Sequence, residues 1–506
     1  MKLSIASSLL VSTAFLFEDV HASVHHLRGI RQSSRSPPMT GIGRRVGMSG
    51  DLQNSGDVKY WTNVTMGGKS VALLLDTGSS DLTVAGTIPN TKDLGKTATL
   101  NYAIGSAKGP IQAVEVVYEG HTITDQAFVL DTSGVQEDDH GIIGLGPSSS
   151  SIVHNKLNSQ AGLPVLDNIF LHNTSTPNFI SIILGRSDDP DDLYPGDLTV
   201  GEVLSPYENI TSTPKLDVFD VKDSGGQHWQ TLIDVNGVLG PDGLPVNATS
   251  HVKGSDKRRL NAIFDTGFTL SQVPQPVADA FYLRVPGAKL QNMTGIGLVY
   301  TVPCEAELNV TFVFGNVSIN IHPLDTSTDD LGRRDSDGMP ICIGGFQPIQ
   351  ASAVDDSYDM ILGMTFLRNV YLLINFGDFV DGKDGKTNDP YIQLLPITQP
   401  ADGHADFVSN RLDGVDNTAN LHLLPASVLP AIDENPDDNK SLSEKIKPYL
   451  PYIIAGSVVL GLLLILGVFF CIRSSRQKRY RRLHDPAPAG LHTQPPFTSY
   501  QPTSRY

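Results

Sequence analysis

The chain has 506 residues, with 37 Lys and Arg against 54 Asp and Glu, for a formal charge of −17. That balance gives little attraction for phosphate backbones, so nucleic acid is not an expected partner. With 40% apolar and only 18% charged residues, disorder throughout is excluded; three cysteines exclude a disulfide miniprotein, and 47 Gly with 33 Pro favour β architecture over a helical bundle.

Residues 1–22 read as a signal peptide. Lys2 precedes an apolar stretch from Leu3 to Phe17, and Val20-His21-Ala22 offers a small-residue cleavage site. Residues 23–45 read as a basic prosegment. They carry five Arg and no acid, contain Pro37-Pro38 and end at Arg44-Arg45. The tail from Ile472 carries +6, which leaves −27 on residues 46–471 once the −1 of residues 1–22 is counted. A basic leader beside so acidic a body can dock on it electrostatically before removal.

From Asp51 to about Pro396 the sequence is strand-like. Short apolar runs alternate with turn clusters such as Met66-Gly67-Gly68, Pro241-Asp242-Gly243 and Asp381-Gly382-Lys383. Runs such as Ala113–Tyr118 and Leu308–Phe314 are rich in strand formers, and a short helix is expected near Val277–Leu283. Residues 399–448 lack such runs and read as a disordered, solvated stalk. Residues 449–472 read as a transmembrane helix. Its apolar core, Ile453–Ile472, spans about 30 Å as a helix, the thickness of a bilayer core. Arg473, Arg476, Lys478, Arg479, Arg481 and Arg482 follow, which places this end in the cytoplasm. Residues 473–506 form a basic, then Pro-rich, tail. The expected topology is single-pass type I, with the body extracellular or lumenal, at the cell surface or in the secretory and endosomal-vacuolar pathway.

An outside body meets oxidising conditions, where Cys304 and Cys342 can pair and close a 38-residue separation; Cys471 lies at the cytoplasmic end of the spanning segment. Eight glycosylation sequons fit the same route, at Asn63, Asn173, Asn209, Asn247, Asn292, Asn309, Asn316 and Asn439.

The body contains an internal repeat. One copy reads Leu73-Leu74-Leu75-Asp76-Thr77-Gly78-Ser79-Ser80, the other Ala262-Ile263-Phe264-Asp265-Thr266-Gly267-Phe268-Thr269. Each is followed downstream by two apolar residues and a glycine, Ile142-Ile143-Gly144 and Ile361-Leu362-Gly363. Two near misses, Asp131-Thr132-Ser133 and Asp325-Thr326-Ser327, read as ordinary turns. An apolar strand carries each carboxylate into a poorly solvated place. Glycine permits a sharp turn and close approach, and threonine offers a hydroxyl to tie two symmetric loops together. If the loops meet, Asp76 and Asp265 face each other. Two carboxylates about 3 Å apart cannot both ionise and share one proton. One then acts as base on water and the other donates to a scissile carbonyl.

These motifs resemble the pepsin family of aspartic proteases, membrane-anchored and fungal in type, over roughly residues 55–398. The resemblance implies an all-β, bilobal fold with the cleft between an N-terminal lobe, 46–208, and a C-terminal lobe, 209–398. It implies catalytic Asp76 and Asp265 in active-site loops with Thr77, Gly78, Ser79, Thr266 and Gly267. Tyr102-Ala103-Ile104-Gly105-Ser106 is similar to the family's flap, so Tyr102, Gly105 and Ser106 are candidate substrate-binding residues. Gly196-Asp197-Leu198-Thr199-Val200-Gly201 resembles the interlobe stretch, and the Cys304/Cys342 pair resembles the C-terminal-lobe disulfide. The implied protein is a monomer that binds peptide in an extended conformation and works best in acid. The chain departs from the family pattern at Thr83, where a Trp usually supports the flap tyrosine, and at His140, usually an Asp. No cysteine pair follows Asp76, and the stretch from Asp76 to Tyr102 is short. Phe268 replaces the usual Ser or Thr, and losing that hydroxyl is expected to raise the pKa of Asp265 unless Thr269 compensates.

No His-Glu-x-x-His or paired-cysteine pattern is present, so no metal or cofactor is expected, and Asp188-Asp189 with Asp191-Asp192 reads as a solvated loop. Two functions stay open: an active aspartic endopeptidase, favoured by the retained Asp76 and Asp265, and a catalytically impaired binding or adhesion protein on the same fold.

Overall fold

The computed structural model describes residues 50–430, apart from 56–57, 103–104, 135, 174, 187–194, 222–225, 294–295, 330, 336–337, 350–356 and 378–388. The signal peptide, prosegment, spanning segment, cytoplasmic tail, Asn439, the Asp188–Asp192 loop and the flap residues Ala103 and Ile104 lie outside the described residues. Among the described residues no helix is long and apolar enough to cross a membrane.

Turn chemistry sets the first hairpin. Gly67 and Gly68 both take positive φ, +59° and +89°, which is the left-handed pair a tight two-residue hairpin turn requires. The strands Lys59–Met66 and Lys69–Asp76 pair across it, with Met66 opposite Lys69 and Trp61 opposite Leu74. Alternation buries Tyr60, Thr62, Val64 and Met66 and turns Lys59 and Asn63 outward. The Lys69–Asp76 strand then runs parallel to His140–Gly144, placing Asp76 opposite Gly144. Leu82–Ala85 crosses back antiparallel beside His140–Gly144.

The second half repeats this wiring. Asn261–Phe264 runs parallel to Met360–Leu362, with Phe264 opposite Leu362, and Ser271–Val273 lies antiparallel to the latter. The glycine of each apolar-apolar-Gly segment has a steric reason. A Cβ on Gly144 would lie 2.5 Å from the Asp81 nitrogen, and one on Gly363 would lie 2.2 Å from the Phe268 carbonyl oxygen. Only glycine lets the looped strand pass so close.

A six-stranded sheet joins the halves. Its order is Gly50–Asp51, Gly196–Val200, Phe179–Leu184, Val370–Asn375, Tyr391–Pro396 and Leu216–Asp217. Ile180 of the first half pairs with Ile374 of the second. The mostly apolar strands Phe179–Leu184 and Val370–Asn375 are buried along almost their whole length, as strands covered on both faces must be. The interlobe stretch seen in the sequence at Gly196–Gly201 supplies the Gly196–Val200 strand of this sheet. Helix Gln275–Tyr282 matches the expected short helix, with a proline in its first turn. Cys304 and Cys342 form a disulfide.

Two expectations need correction. Residues 399–448 do not begin as a disordered stalk. Pro400–Arg411 is a helix, Phe407 is fully buried beside Leu324 and Leu412, and described structure continues to residue 430. The helix carries too few apolar residues to show periodicity. It is held instead by one aromatic anchor and polar clasps, His404 to Glu307, His322 to Asp406 and Arg411 to Asp329. Nor is Asp325-Thr326-Ser327 an ordinary turn. Asp325 is only 1% exposed, in the short helix Pro323–Thr326, and accepts from Arg186 Nε at 3.0 Å and Arg368 Nε at 2.7 Å. Burial pushes its pKa up, but the two guanidiniums outweigh burial and hold it below the usual carboxylate range.

Candidate active site

The two Asp-Thr-Gly loops meet where the halves join. Each leaves a buried strand, so each carboxyl is delivered to a nearly dry place: Asp76 is 7% exposed and Asp265 9%. The threonines tie the loops by a reciprocal set of bonds. The Thr77 N–H donates to Thr266 Oγ1 at 3.0 Å, and the Thr266 N–H donates to Thr77 Oγ1 at 3.0 Å. Each hydroxyl then donates onward across the junction, Thr77 to the Phe264 carbonyl at 2.8 Å and Thr266 to the Leu75 carbonyl at 2.9 Å. All four groups are buried and paired, so neither loop moves without leaving a buried donor unsatisfied.

This network seats each carboxyl over the other loop's glycine. A Cβ on Gly78 would lie 2.2 Å from Asp265 Oδ2, and one on Gly267 would lie 2.6 Å from Asp76 Oδ1. The glycines are therefore fixed less by a turn than by the opposing carboxylate.

The donors around the two carboxyls differ. Asp76 Oδ1 accepts from the Gly78 N–H at 2.9 Å and the Ser79 N–H at 3.2 Å, and its Oδ2 accepts from the Ser79 hydroxyl. Asp265 Oδ1 accepts from the Gly267 N–H at 2.7 Å. Phe268 offers no hydroxyl, and the Thr269 hydroxyl donates instead to the Val58 carbonyl at 2.9 Å, so Thr269 does not take over. Burial, then the adjacent Asp76 charge, push the Asp265 pKa well above the usual carboxylate range, against the pull of the Gly267 and Gly78 N–H groups.

The hairpin of strands Lys92–Asn101 and Ser106–Tyr118 carries the candidate flap. Asn101 pairs with Ser106, and the tip is closed by the Tyr102 N–H donating to the Gly105 carbonyl at 3.1 Å, with Gly105 at φ +83°. Tyr102 packs against the cluster of Ala98, Leu100, Ile111, Ala127, Val129 and Val153. Burial and then the charges of Asp76, Asp81 and Asp131 raise the Tyr102 pKa, while Thr83 lowers it. Its hydroxyl and that of Thr83 are both buried without forming a proper hydrogen bond. Thr83 thus lies near the phenol but does not anchor it.

Two residues near the site carried no sequence signal. Asp81 is buried and accepts from the Ser151 hydroxyl at 2.6 Å and from the N–H groups of Ile152 and Val153 at 2.9 and 3.0 Å. It thereby ties the first loop to helix Ile152–Leu157, on which the Tyr102 cluster rests. His228, from the second half, reaches the Gly78 carbonyl at 3.0 Å. Partners 70 and 150 residues apart leave no local pattern to read. Of the other candidates, His140 stacks edge-on to Trp61 at 5.4 Å. The side chains of Asn63, Asn209, Asn247, Asn292, Asn309 and Asn316 are exposed, and Asn173 is half-buried. Among the described residues no His, Cys, Asp and Glu cluster could hold a metal ion.

Residues 88–379 match the family model described as eukaryotic aspartyl protease. Major aspartyl peptidase 1 of Cryptococcus neoformans var. grubii is 23% identical over 375 residues, covering 66% of this chain and 71% of that one. Cathepsin E of Rattus norvegicus is 27% identical over 361 residues, covering 66% and 81%. Among solved structures, the aspartic proteinase from Irpex lacteus superposes with a TM-score of 0.53 at 20% identity, covering 69% of this chain and 97% of that one, a likeness of fold.

Proposed function

Since the chain belongs to the eukaryotic aspartyl protease family and is an aspartic-type endopeptidase, we propose that it hydrolyses peptide bonds with a water activated between Asp76 and Asp265. The observation that carries this reading is the reciprocal Thr77 and Thr266 network, which seats each carboxyl against the other loop's glycine. Asp76, with the fuller donor set, is the base, and Asp265, the more proton-retentive group, is the acid. Water gives a proton to Asp76 while its oxygen bonds to the scissile carbonyl carbon, and Asp265 gives its proton to the carbonyl oxygen. The resulting diol collapses as the C–N bond breaks: the proton on Asp76 goes to the leaving nitrogen, and one diol hydroxyl returns its proton to Asp265, which leaves a carboxylic acid, an amine and the starting protonation of the pair. No covalent enzyme intermediate forms.

The Tyr102–Gly105 tip would close over a peptide held extended and exclude water. Because one shared proton is required, activity would be highest in acid. The apolar stretch Ile453–Ile472 with its basic flank supports single-pass type I tethering, with the body on the extracellular or lumenal side.

Hydrolysis of a mixed peptide library by the purified full-length protein between pH 3 and pH 7 tests this. Cleavage that peaks in acid and is lost in Asp76→Asn and Asp265→Asn supports it. Folded protein that binds peptide without cutting it would instead favour the binding function, with the missing Phe268 hydroxyl as its cause.

A further inference from the structure

The Cys304–Cys342 disulfide has two unlike ends. Cys342 opens the strand Cys342–Gly344, which pairs with Gly297–Val302 and Ser327–Thr328, and it is fully buried. Cys304 sits in the turn after Gly297–Val302 and is half-buried. The groups facing the two sulfurs differ as well. Cys342 Sγ accepts from Arg411 Nη1 at 2.8 Å. The same guanidinium reaches Asp329 at 2.8 Å and the Ser327 carbonyl at 3.4 Å through Nη2. Cys304 Sγ instead has the Pro340 carbonyl oxygen 3.7 Å away, at the surface. One sulfur meets a cation and the other the negative end of a carbonyl dipole.

Arg411 ends the helix Pro400–Arg411, and its side chain is only 7% exposed. A guanidinium does not lose its proton in a protein, so the charge beside Cys342 is permanent. Asp329 competes for that charge, but its side chain is 41% exposed, where solvent screens it.

Thiol–disulfide exchange needs access for a thiolate and a leaving sulfur of low basicity. Of the two sulfurs, only the one on Cys304 belongs to a residue open to solvent. An incoming thiolate bonds to Cys304 Sγ as the S–S bond breaks, and the electron pair leaves on Cys342 Sγ, where Arg411 stabilises it. When the attacking molecule is a dithiol, its second thiolate attacks its own sulfur in the mixed disulfide and frees Cys304. The bridge gains two electrons and the dithiol, now a disulfide, loses two. Its two protons go to the freed Cys304 sulfur and to solvent.

We propose that this bridge is a site of thiol–disulfide exchange, attacked at Cys304 by a small dithiol, with Arg411 holding Cys342 as the leaving thiolate. The site is separate from Asp76 and Asp265 and does not depend on whether the chain cuts peptides.

The test uses the purified full-length protein at neutral pH, in two arms. In the first, the wild type is treated with the monothiol 2-mercaptoethanol, quenched in acid and unfolded in excess alkylating agent. Mass spectrometry then reads the Cys304, Cys342 and Cys471 peptides. The mercaptoethanol adduct should sit on Cys304 and the alkyl group on Cys342. In the second, the rate of reduction by dithiothreitol is compared among wild type, Arg411→Gln and Asp329→Asn, with a thermal melt to show that each is folded. Arg411→Gln should be reduced about three- to thirtyfold more slowly, because the leaving thiolate loses its cation. Asp329→Asn removes the competing carboxylate and should be reduced as fast as wild type or faster. If Arg411 only braced the fold, both variants would loosen the bridge and react faster. An adduct on Cys342, no adduct on folded wild type, or folded Arg411→Gln reduced at the wild-type rate or faster overturns the proposal. Should Arg411→Gln not fold, the position of the wild-type adduct alone decides.

Discussion

The two halves share a backbone plan but differ in how they treat buried charge. Thr77 and Thr266 make matching bonds at matching lengths, and each loop packs its glycine under the other's carboxyl. Yet Asp76 has three donors from its own loop, whereas Asp265 has the Gly267 N–H and, in place of a hydroxyl, Phe268. The contrast reverses away from the site. In the second half, Asp325 is neutralised by Arg186 and Arg368. In the first half, Asp167 is buried in helix Val165–His172, with its Oδ2 unbonded and Ser148 as its side-chain donor. Backbone symmetry is thus set by loop geometry, while charge is decided side chain by side chain.

The largest expected effect comes from removing either carboxyl. Asp76→Asn and Asp265→Asn should each lower kcat by at least about a thousandfold, because neither half alone supplies both base and acid. Steady-state kinetics on one peptide checks this, and a residual rate within tenfold of wild type in either variant would break the assignment.

Next is the ionic centre of the second half. Asp325→Ala leaves the guanidiniums of Arg186 and Arg368 facing no carboxylate, and should cost about 3–5 kcal/mol of stability by chemical denaturation.

The first half should show the opposite behaviour with pH. Burial pushes the Asp167 pKa up to about 7, against the bond from Ser148. The folded state then holds a proton that the unfolded chain releases above about pH 4, so stability falls as pH rises from about 4 to 7. Asp167→Asn, neutral at every pH, should flatten that fall by about 2–4 kcal/mol over the interval. A fall of unchanged slope in the variant would remove Asp167 as its cause.

The sequence exposed what is local and repeated. Asp76-Thr77-Gly78 and Asp265-Thr266-Gly267, with their partner segments at Gly144 and Gly363, are legible because each obeys a local steric rule twice in one chain. The switch of Phe268 for a hydroxyl residue was legible too. What it meant was not, because Thr269 turns to the Val58 carbonyl, 211 residues away. Helix Pro400–Arg411 escaped notice because a single buried Phe407 gives no periodicity. Asp325 resembled a turn because its arginine partners lie 139 and 43 residues away. Asp81 and His228 were hidden for the same reason.

The chemical asymmetry of the two carboxyls is tested most directly by restoring the missing hydroxyl. Phe268→Thr should give Asp265 a donor that favours its ionised form, so the shared proton is lost at lower pH. The alkaline limb of the kcat/KM profile should then move down by about half to one pH unit relative to wild type, with little change near the acid optimum. An alkaline limb that stays in place, or moves up, would contradict the account.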